Sequence, residues 1–323
     1  MPEEAGELRF DALTREWVSI VGHRQDRPNL PASGCPFCVG GIEAPEPYDV
    51  LAFENRWPAF TAGEPVDIAG AERTGAVLLP GRGACEVVLY SPHHDESMST
   101  LGPTAVRRVI DLWAERTEAL LAREEIEYVL VFENRGREVG ATIDHPHGQI
   151  YAYPFVPPDP EREGAVAREH GCPLCVEVRE EAAAGERVVH DDGEWVAWVP
   201  YASGYAYGLR VAPRSHTGRI AELDGAQRDA LADVLIDVLS RYDRLWAGAP
   251  GAGDVFPYLL WIHQAPKHHD GEHHLHVHLA PPLRAPGVQR YVASGELGSG
   301  TFSNPVVPER AARELRDVGS LDE

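Results

Sequence analysis

His145, His147 and Gln149 alternate through the run His-Pro-His-Gly-Gln. If the segment from Ile143 to Tyr151 is a strand, its period of two places all three on one face. Just upstream, the apolar run Tyr128-Val-Leu-Val-Phe132 reads as a buried strand. The loop between them carries Gly136 and Gly140, where glycine lets backbone come close to a ligand. Two imidazoles and an amide on one face, beside a glycine loop, suit phosphate chemistry. Neutral imidazole attacks phosphorus, and the phosphoramidate it forms is labile enough to pass the group on. No Walker-type lysine loop and no Gly-x-Gly-x-x-Gly is present, so P-loop and dinucleotide-binding mechanisms have no support.

These residues need a frame, and 323 residues at 43% hydrophobic content supply a large core or two similar halves. A formal net charge of −22 argues against nucleic acid as a partner, because phosphates would be repelled. An anionic sugar nucleotide would need a local cluster of Arg, Lys or metal. The acidic N-terminus has no apolar signal region, and no run approaches a membrane span, so the expected location is the cytoplasm. Four of the five cysteines form two Cys-x-x-Cys pairs, Cys35/Cys38 and Cys172/Cys175, with Cys85 left over. Without an export signal, such pairs more often hold metal than form disulfides.

The chain repeats itself. In the first copy a Cys-x-x-Cys knuckle is followed by a strand at 85–90 and by Ser91-Pro-His-His94. A helix at about 103–122 comes next, with Val106, Val109, Ile110, Trp113 and Leu120 on one face, and then the 128–132 strand and His145. In the second, Cys172-Pro-Leu-Cys175 precedes Tyr207–Ala212, Pro213-Arg-Ser-His216, a helix at about 224–247, the strand 258–262 and His274-Leu-His-Val-His278. The second copy trails the first by 137 residues at Cys35/Cys172, 122 at His94/His216 and 129 at His145/His274. Constant order with similar spacing means two copies of one unit, with loops absorbing the differences.

His-Pro-His-Gly-Gln after Phe132-Glu-Asn-Arg-Gly resembles the galactose-1-phosphate uridylyltransferase branch of the histidine-triad superfamily. The resemblance spans roughly residues 8–316. It implies an α+β fold of two tandem histidine-triad-like units, each an antiparallel half-barrel sheet with helices on one side. The expected halves are 1–157, with the catalytic histidine and a zinc site, and 158–323, with a second metal and a hexose-binding tail. It also implies that His147 is the nucleophile, that Gln149 steadies the nucleotidylated intermediate, and that His145 binds a structural zinc. His147 must then have one ring nitrogen held by a backbone acceptor. Phosphate oxygens would be met by Gln149, Thr142, Asn134 and backbone N–H groups of the 136–140 loop, Gly140 included. Arg24, Arg27 and Asn55 fall where the family contacts the nucleotide. Arg290 and Glu296 lie in the tail that helps bind the hexose, commonly across a dimer interface. The family's usual Gly-Tyr-Glu is here Ser294-Gly-Glu296, so only the carboxylate carries over.

The first zinc set is Cys35, Cys38, His94 and His145, two sulfur and two nitrogen donors that suit a closed structural site. For a second metal two sets compete. The repeat favours zinc on Cys172, Cys175, His216 and His274. Many family members instead use a Glu and three later histidines, matched here by Glu163, His263, His276 and His278, and that set could take iron. The expectation is two zinc ions per chain, with His276, at the position of His147, catalytically silent. The expected reaction is ping-pong transfer of UMP from UDP-glucose to galactose 1-phosphate by a homodimer. The runner-up is a related nucleotidyltransferase or phosphorylase acting on an ADP-sugar or a dinucleoside polyphosphate. The non-enzymatic alternative is a zinc-stabilised nucleotide-binding protein without turnover.

Overall fold

The computed structural model describes residues 7–22, 34–60, 77–269 and 271–319. Strands β1 (Glu7–Asp11) and β2 (Glu16–Ile20) form an antiparallel hairpin. After β3 (Leu51–Glu54), strand β4 (Leu78–Pro80) pairs with the free edge of β1. The remaining strands build one larger sheet. They are β5 (Ala84–Leu89), β6 (Tyr128–Arg135), β7 (His147–Tyr153), β8 (Val188–Asp191), β9 (Trp195–Trp198), β10 (Leu209–Pro213), β11 (Tyr258–His263) and β12 (His276–Ala280). With β3 they make nine antiparallel strands in the order β3-β5-β7-β6-β11-β12-β10-β9-β8.

The two copies join at the β6–β11 seam. There Phe132 pairs with Trp261, its own counterpart 129 residues later. The seam therefore has a local two-fold character, and each half contributes its central strand. Each half also sends one long helix to the same face: α1 (Pro103–Leu121) and α4 (Gly225–Leu245), which pack on each other. Alpha1 starts with proline in its first turn, where the missing N–H costs nothing. Alpha4 starts at a capping box, with Asp224 accepting from the Gln227 backbone and Gln227 answering to the Asp224 N–H. Every residue assigned to the apolar face of α1 is buried, with Trp113 fully so. The α+β class and the antiparallel sheet are those the sequence implied.

Two further helices, α2 (Pro158–His170) and α3 (Pro173–Ala184), follow the first half. Alpha3 lies on the opposite face. Its Leu174 and Val178 pack on Val196, Trp198 and Ala212, while Trp195 and Ala197 of the same strand enter the main core with α4. The second half is thus covered on both faces around β9. The matching face of the first half is only partly closed, by the Cys35–Cys38 knuckle through Phe37 on Val87 and Leu89. The tail adds α5 (Ser294–Ser299) and α6 (Pro308–Asp317); α6 buries Ala311, Ala312 and Leu315 against the main core.

One strand boundary differs from the sequence reading. Beta7 begins at His147, so His145 belongs to the turn before it. Pro146 between them lacks the N–H a ladder would need. Within β7 the alternation holds: His147, Gln149 and Tyr151 are half-buried on the open face, while Ile150 and Ala152 enter the core with α1.

Candidate active site and metal clusters

His147 stands at the first position of β7. Its Nδ1–H donates to the His145 carbonyl at 2.7 Å, which fixes the tautomer and leaves the lone pair on Nε2. The Phe37 ring, carried between the two knuckle cysteines, packs 5.0 Å from the imidazole centroid. Two cavities meet at this ring. One of about 790 Å³ is lined by Phe37, Phe53, Asn55, Val87, Thr142 and Gln149. The other, about 740 Å³, is polar and charged, with Asn134, Arg135, Arg137, Asp144 and Asp243 in its wall. An aromatic-walled slot on one side and a polar chamber on the other, with one nucleophilic nitrogen between, suit a nucleoside on one side and an anionic leaving group on the other.

Gln149 is aimed by Asn55, whose amide donates to Gln149 Oε1 at 3.5 Å. That holds the oxygen back and presents the Gln149 NH2 as donor. Asn55 is itself held, accepting the Trp57 N–H at 2.9 Å. Asn134 and Thr142 line opposite cavities. Gly140 plays a different part from the one expected. Its φ is 84° and its N–H closes the Arg137–Val139 turn on the Arg137 carbonyl at 3.1 Å, so it shapes the loop with a conformation that favours glycine. Arg24 and Arg27 lie outside the described residues. Arg290 and Glu296 pair with each other, and Arg290 also donates to the Ser303 carbonyl between the Tyr205 and Phe302 rings. Neither lines the cavities at His147. The tail still reaches the site's rim, where Gln289 donates to the Glu138 carbonyl at 3.1 Å.

Three groups of donors stand within reach of one ion each. Cys35, Cys38, His94 and His145 place their ligand atoms within 4.8 Å of one another, as do Cys172, Cys175, His216 and His274, and as do Glu163, His263, His276 and His278. Tetrahedral zinc with ordinary Zn–S and Zn–N bonds puts S and N about 3.5 Å apart. Cys38 Sγ is 3.7 Å from both His94 Nδ1 and His145 Nδ1. Cys175 Sγ is 3.2 and 3.4 Å from His216 Nδ1 and His274 Nδ1. Both thiolate sets therefore fit a closed zinc site. Each imidazole with an outer partner turns Nε2 to a carbonyl: His145 to Ser91 at 2.8 Å, His274 to Pro213 at 3.0 Å, His216 to Gly271 at 2.8 Å. Burial, then the hydrogen bond and charge of Cys172, push the Cys175 thiol up to about 11. A cation between the two sulfurs would reverse that.

The third group is separate and shares no residue with the second. The sequence reading treated the two sets as rivals; the fold assembles both. His274 in the irregular segment before β12 faces the cysteines, whereas His276 and His278 on β12 face Glu163 from α2 and His263 from β11. The chemistry of this donor set fits a cation. His263 Nδ1 is 2.8 Å from Glu163 Oε1 and His276 Nε2 is 3.7 Å from it. The Nε2 atom of half-buried His278 is itself buried and meets no hydrogen-bond partner among the described residues. Burial keeps both His276 and His278 neutral and ready to ligate. Burial opposes ionisation of Glu163, yet the His263 hydrogen bond and the adjacent His276 hold its carboxyl well below the usual range.

Three useful residues were not picked out of the sequence. Phe37 was legible, since it sits inside the knuckle. Tyr48 was not: its hydroxyl lies 2.7 Å from the Phe37 carbonyl, 2.9 Å from the Ser91 carbonyl and 3.0 Å from His145 Nε2. It ties the three segments that carry the first cluster. The third is Glu133, inside the quoted motif but on the other face of the sheet.

A histidine of fixed tautomer between two cavities, on one sheet built from two repeated halves with clustered Cys, His and Glu donors, suits a nucleotidyltransferase. Residues 34–157 match the galactose-1-phosphate uridyl transferase N-terminal domain and residues 163–323 match its C-terminal domain. The chain is 37% identical over 321 residues to galactose-1-phosphate uridylyltransferase of Thermotoga maritima, covering 97% of this chain and 98% of that one. It is 30% identical to the Rattus norvegicus enzyme of the same name, covering 96% and 86%. A solved uridylyltransferase superposes with a TM-score of 0.86 at 30% identity, covering 97% and 98%; an ADP-glucose phosphorylase from Arabidopsis thaliana with bound ADP-glucose gives 0.71 at 26%, covering 97% and 99%. The chain belongs to the galactose-1-phosphate uridylyltransferase family.

Proposed function

We propose that the chain transfers UMP from UDP-glucose to galactose 1-phosphate through His147. Family membership along the whole chain carries this reading, and the geometry at His147 supports it. In the first step the Nε2 lone pair attacks the α-phosphorus, an N–P bond forms, and the P–O bond to the glucose 1-phosphate leaving group breaks. As the ring gains positive charge, the His145 carbonyl accepts from Nδ1–H and stabilises it. Gln149 donates to a non-bridging oxygen as charge builds there. In the second step a phosphate oxygen of galactose 1-phosphate attacks the same phosphorus and imidazole leaves. The uridine fits the Phe37, Phe53 and Val87 slot, and the hexose phosphate fits the polar chamber.

Each donor cluster takes one metal in this reading: zinc on the two thiolate sets, and zinc or iron on the Glu163 set. The first pins His145 two residues before the nucleophile, a structural role with no part in bond making. The halves divide at 157/158. The exposed tail side chains Tyr291, Leu297, Phe302 and Val307 favour a homodimer that covers them. The test of function is a panel of UDP-glucose and ADP-glucose with galactose 1-phosphate or inorganic phosphate. UDP-galactose from the first pairing is the expected product. Turnover only with ADP-glucose and phosphate would move the assignment to the phosphorylase branch.

A further inference from the structure

Glu133 is a carboxyl where the fold wants a hydrocarbon. It points from β6 to the helix side of the sheet and is 5% exposed. One repeat later, 129 residues on, its counterpart is Ile262, which pairs with Val277, the counterpart of Gly148. The catalytic half has thus replaced an aliphatic pair by a carboxyl and a glycine directly behind His147. A buried polar group at such a position destabilises unless fully bonded.

Here one oxygen is bonded and the other faces a second hydroxyl. The Tyr258 hydroxyl, from the central strand of the second half, donates to Glu133 Oε1 at 2.9 Å. On the other side the Tyr90 hydroxyl and Glu133 Oε2 are both buried with no hydrogen-bond partner among the described residues, and they lie close enough to bear on each other's ionisation. Arg135 of the same strand lies over the Tyr258 ring and pairs with Asp243 of α4 at 2.6 Å, so these are the charged groups that face the site. Tyr90 is also where the catalytic strand rests. Its hydroxyl occupies the space a Cβ on Gly148 would need, and its backbone N–H donates to the Pro146 carbonyl at 3.1 Å. Residues 146 and 148 flank the nucleophile.

We infer that Glu133 is a positioning residue for His147. Through Tyr90 it seats the start of the catalytic strand, and through Tyr258 it makes that seating depend on the second half. Burial pushes the carboxyl up to about 7, so near neutrality much of it is the protonated acid. As that acid it has a proton on Oε2 to offer the unpartnered Tyr90 hydroxyl while Oε1 accepts from Tyr258. An amide can do the same, and an aliphatic chain cannot.

The inference rests on the proposed use of His147, and the test separates the two. Single-turnover labelling by UDP-glucose is measured in the full chain, together with the KM for UDP-glucose and metal content. Glu133→Leu, an aliphatic chain as at Ile262 in the second half, is expected to slow labelling by about tenfold to hundredfold, the cost of a small misplacement of a reacting group. KM and bound metal should hardly change, and Glu133→Gln should restore most of the rate. Tyr258→Phe, which removes one oxygen far from substrate, should slow labelling in the same direction and serves if the leucine variant does not fold. The His147 imidazole resonances of the free enzyme should move in Glu133→Leu and Tyr258→Phe but not in Glu133→Gln, a readout independent of substrate. Labelling and resonances unchanged in both Leu and Phe variants would overturn the inference; absence of labelling in the wild type would overturn the function instead.

Discussion

The two halves of this sheet set nearly the same residues to different work. His147 and His276 stand at the same position, and each gives its Nδ1–H to the carbonyl two residues back at 2.7 Å. In the first half the imidazole opens onto two cavities and is followed by Gly148 and Gln149. In the second, Val277 and His278 follow, α2 brings Glu163 across, and His276 is buried among the other donors of that cluster. The backbone device that makes an imidazole nucleophilic is therefore present twice. What differs is what each ring lines: two cavities where a phosphorus can arrive, or a carboxylate and two imidazoles where a cation can sit. Tautomer control is necessary for the chemistry and does not by itself produce it.

That comparison can be broken at several depths. The largest effect after removal of the nucleophile itself belongs to Gln149, which His278 replaces in the second half. Gln149→Ala should lower turnover by about 10²–10³, or about 2.7–4 kcal/mol of transition-state stabilisation, with little change in stability. Near-native turnover in steady-state assays would make it a packing residue. Next come the metals. Elemental analysis should show one equivalent lost in Cys172→Ser and a different one lost in Glu163→Ala, with His147 labelling kept in both. Loss of the same equivalent in each would mean that the two sets share one ion.

The smallest effect is a pH dependence of stability. Glu133 has a raised carboxyl pKa in the folded chain, about 7 against an ordinary 4.5. The native state therefore holds a proton that the unfolded state releases. Its contribution is intact below about pH 4.5 and is lost as pH rises through about 7, a change on the order of 3 kcal/mol. Denaturant titrations from pH 4.5 to 8 should show wild type losing stability relative to Glu133→Gln. A constant difference across that range would mean that Glu133 does not bind the proton.

Much of this was legible because the repeat is written in chemistry-bearing residues. Two knuckles, two His-x-His runs and the long helical faces of α1 and α4 needed only spacing. The start of β7 was misplaced because alternation treats His145 and His147 alike, whereas Pro146 cannot join a ladder. Alpha2 stayed hidden because its sequence is polar and proline-rich at its start, with only Pro160, Gly164 and Ala167 buried. Alpha3 stayed hidden behind its own knuckle, since Cys172 caps the helix by accepting from the Cys175 N–H. That both second-half donor sets form at once depends on His274 lying before the strand while His276 and His278 lie on it. Tyr48 and Glu133 act through contacts made only when distant segments meet, and no local pattern marks them.

The central claim is that one of two equivalent imidazoles carries the nucleotidyl group. The direct measurement is acid-labile, base-stable labelling by uracil-labelled UDP-glucose in wild type, His147→Asn and His276→Asn. The expected result is label in wild type, none in His147→Asn with fold and metal content kept, and label still present in His276→Asn. Label that survives His147→Asn, or that disappears in a folded His276→Asn, would contradict it.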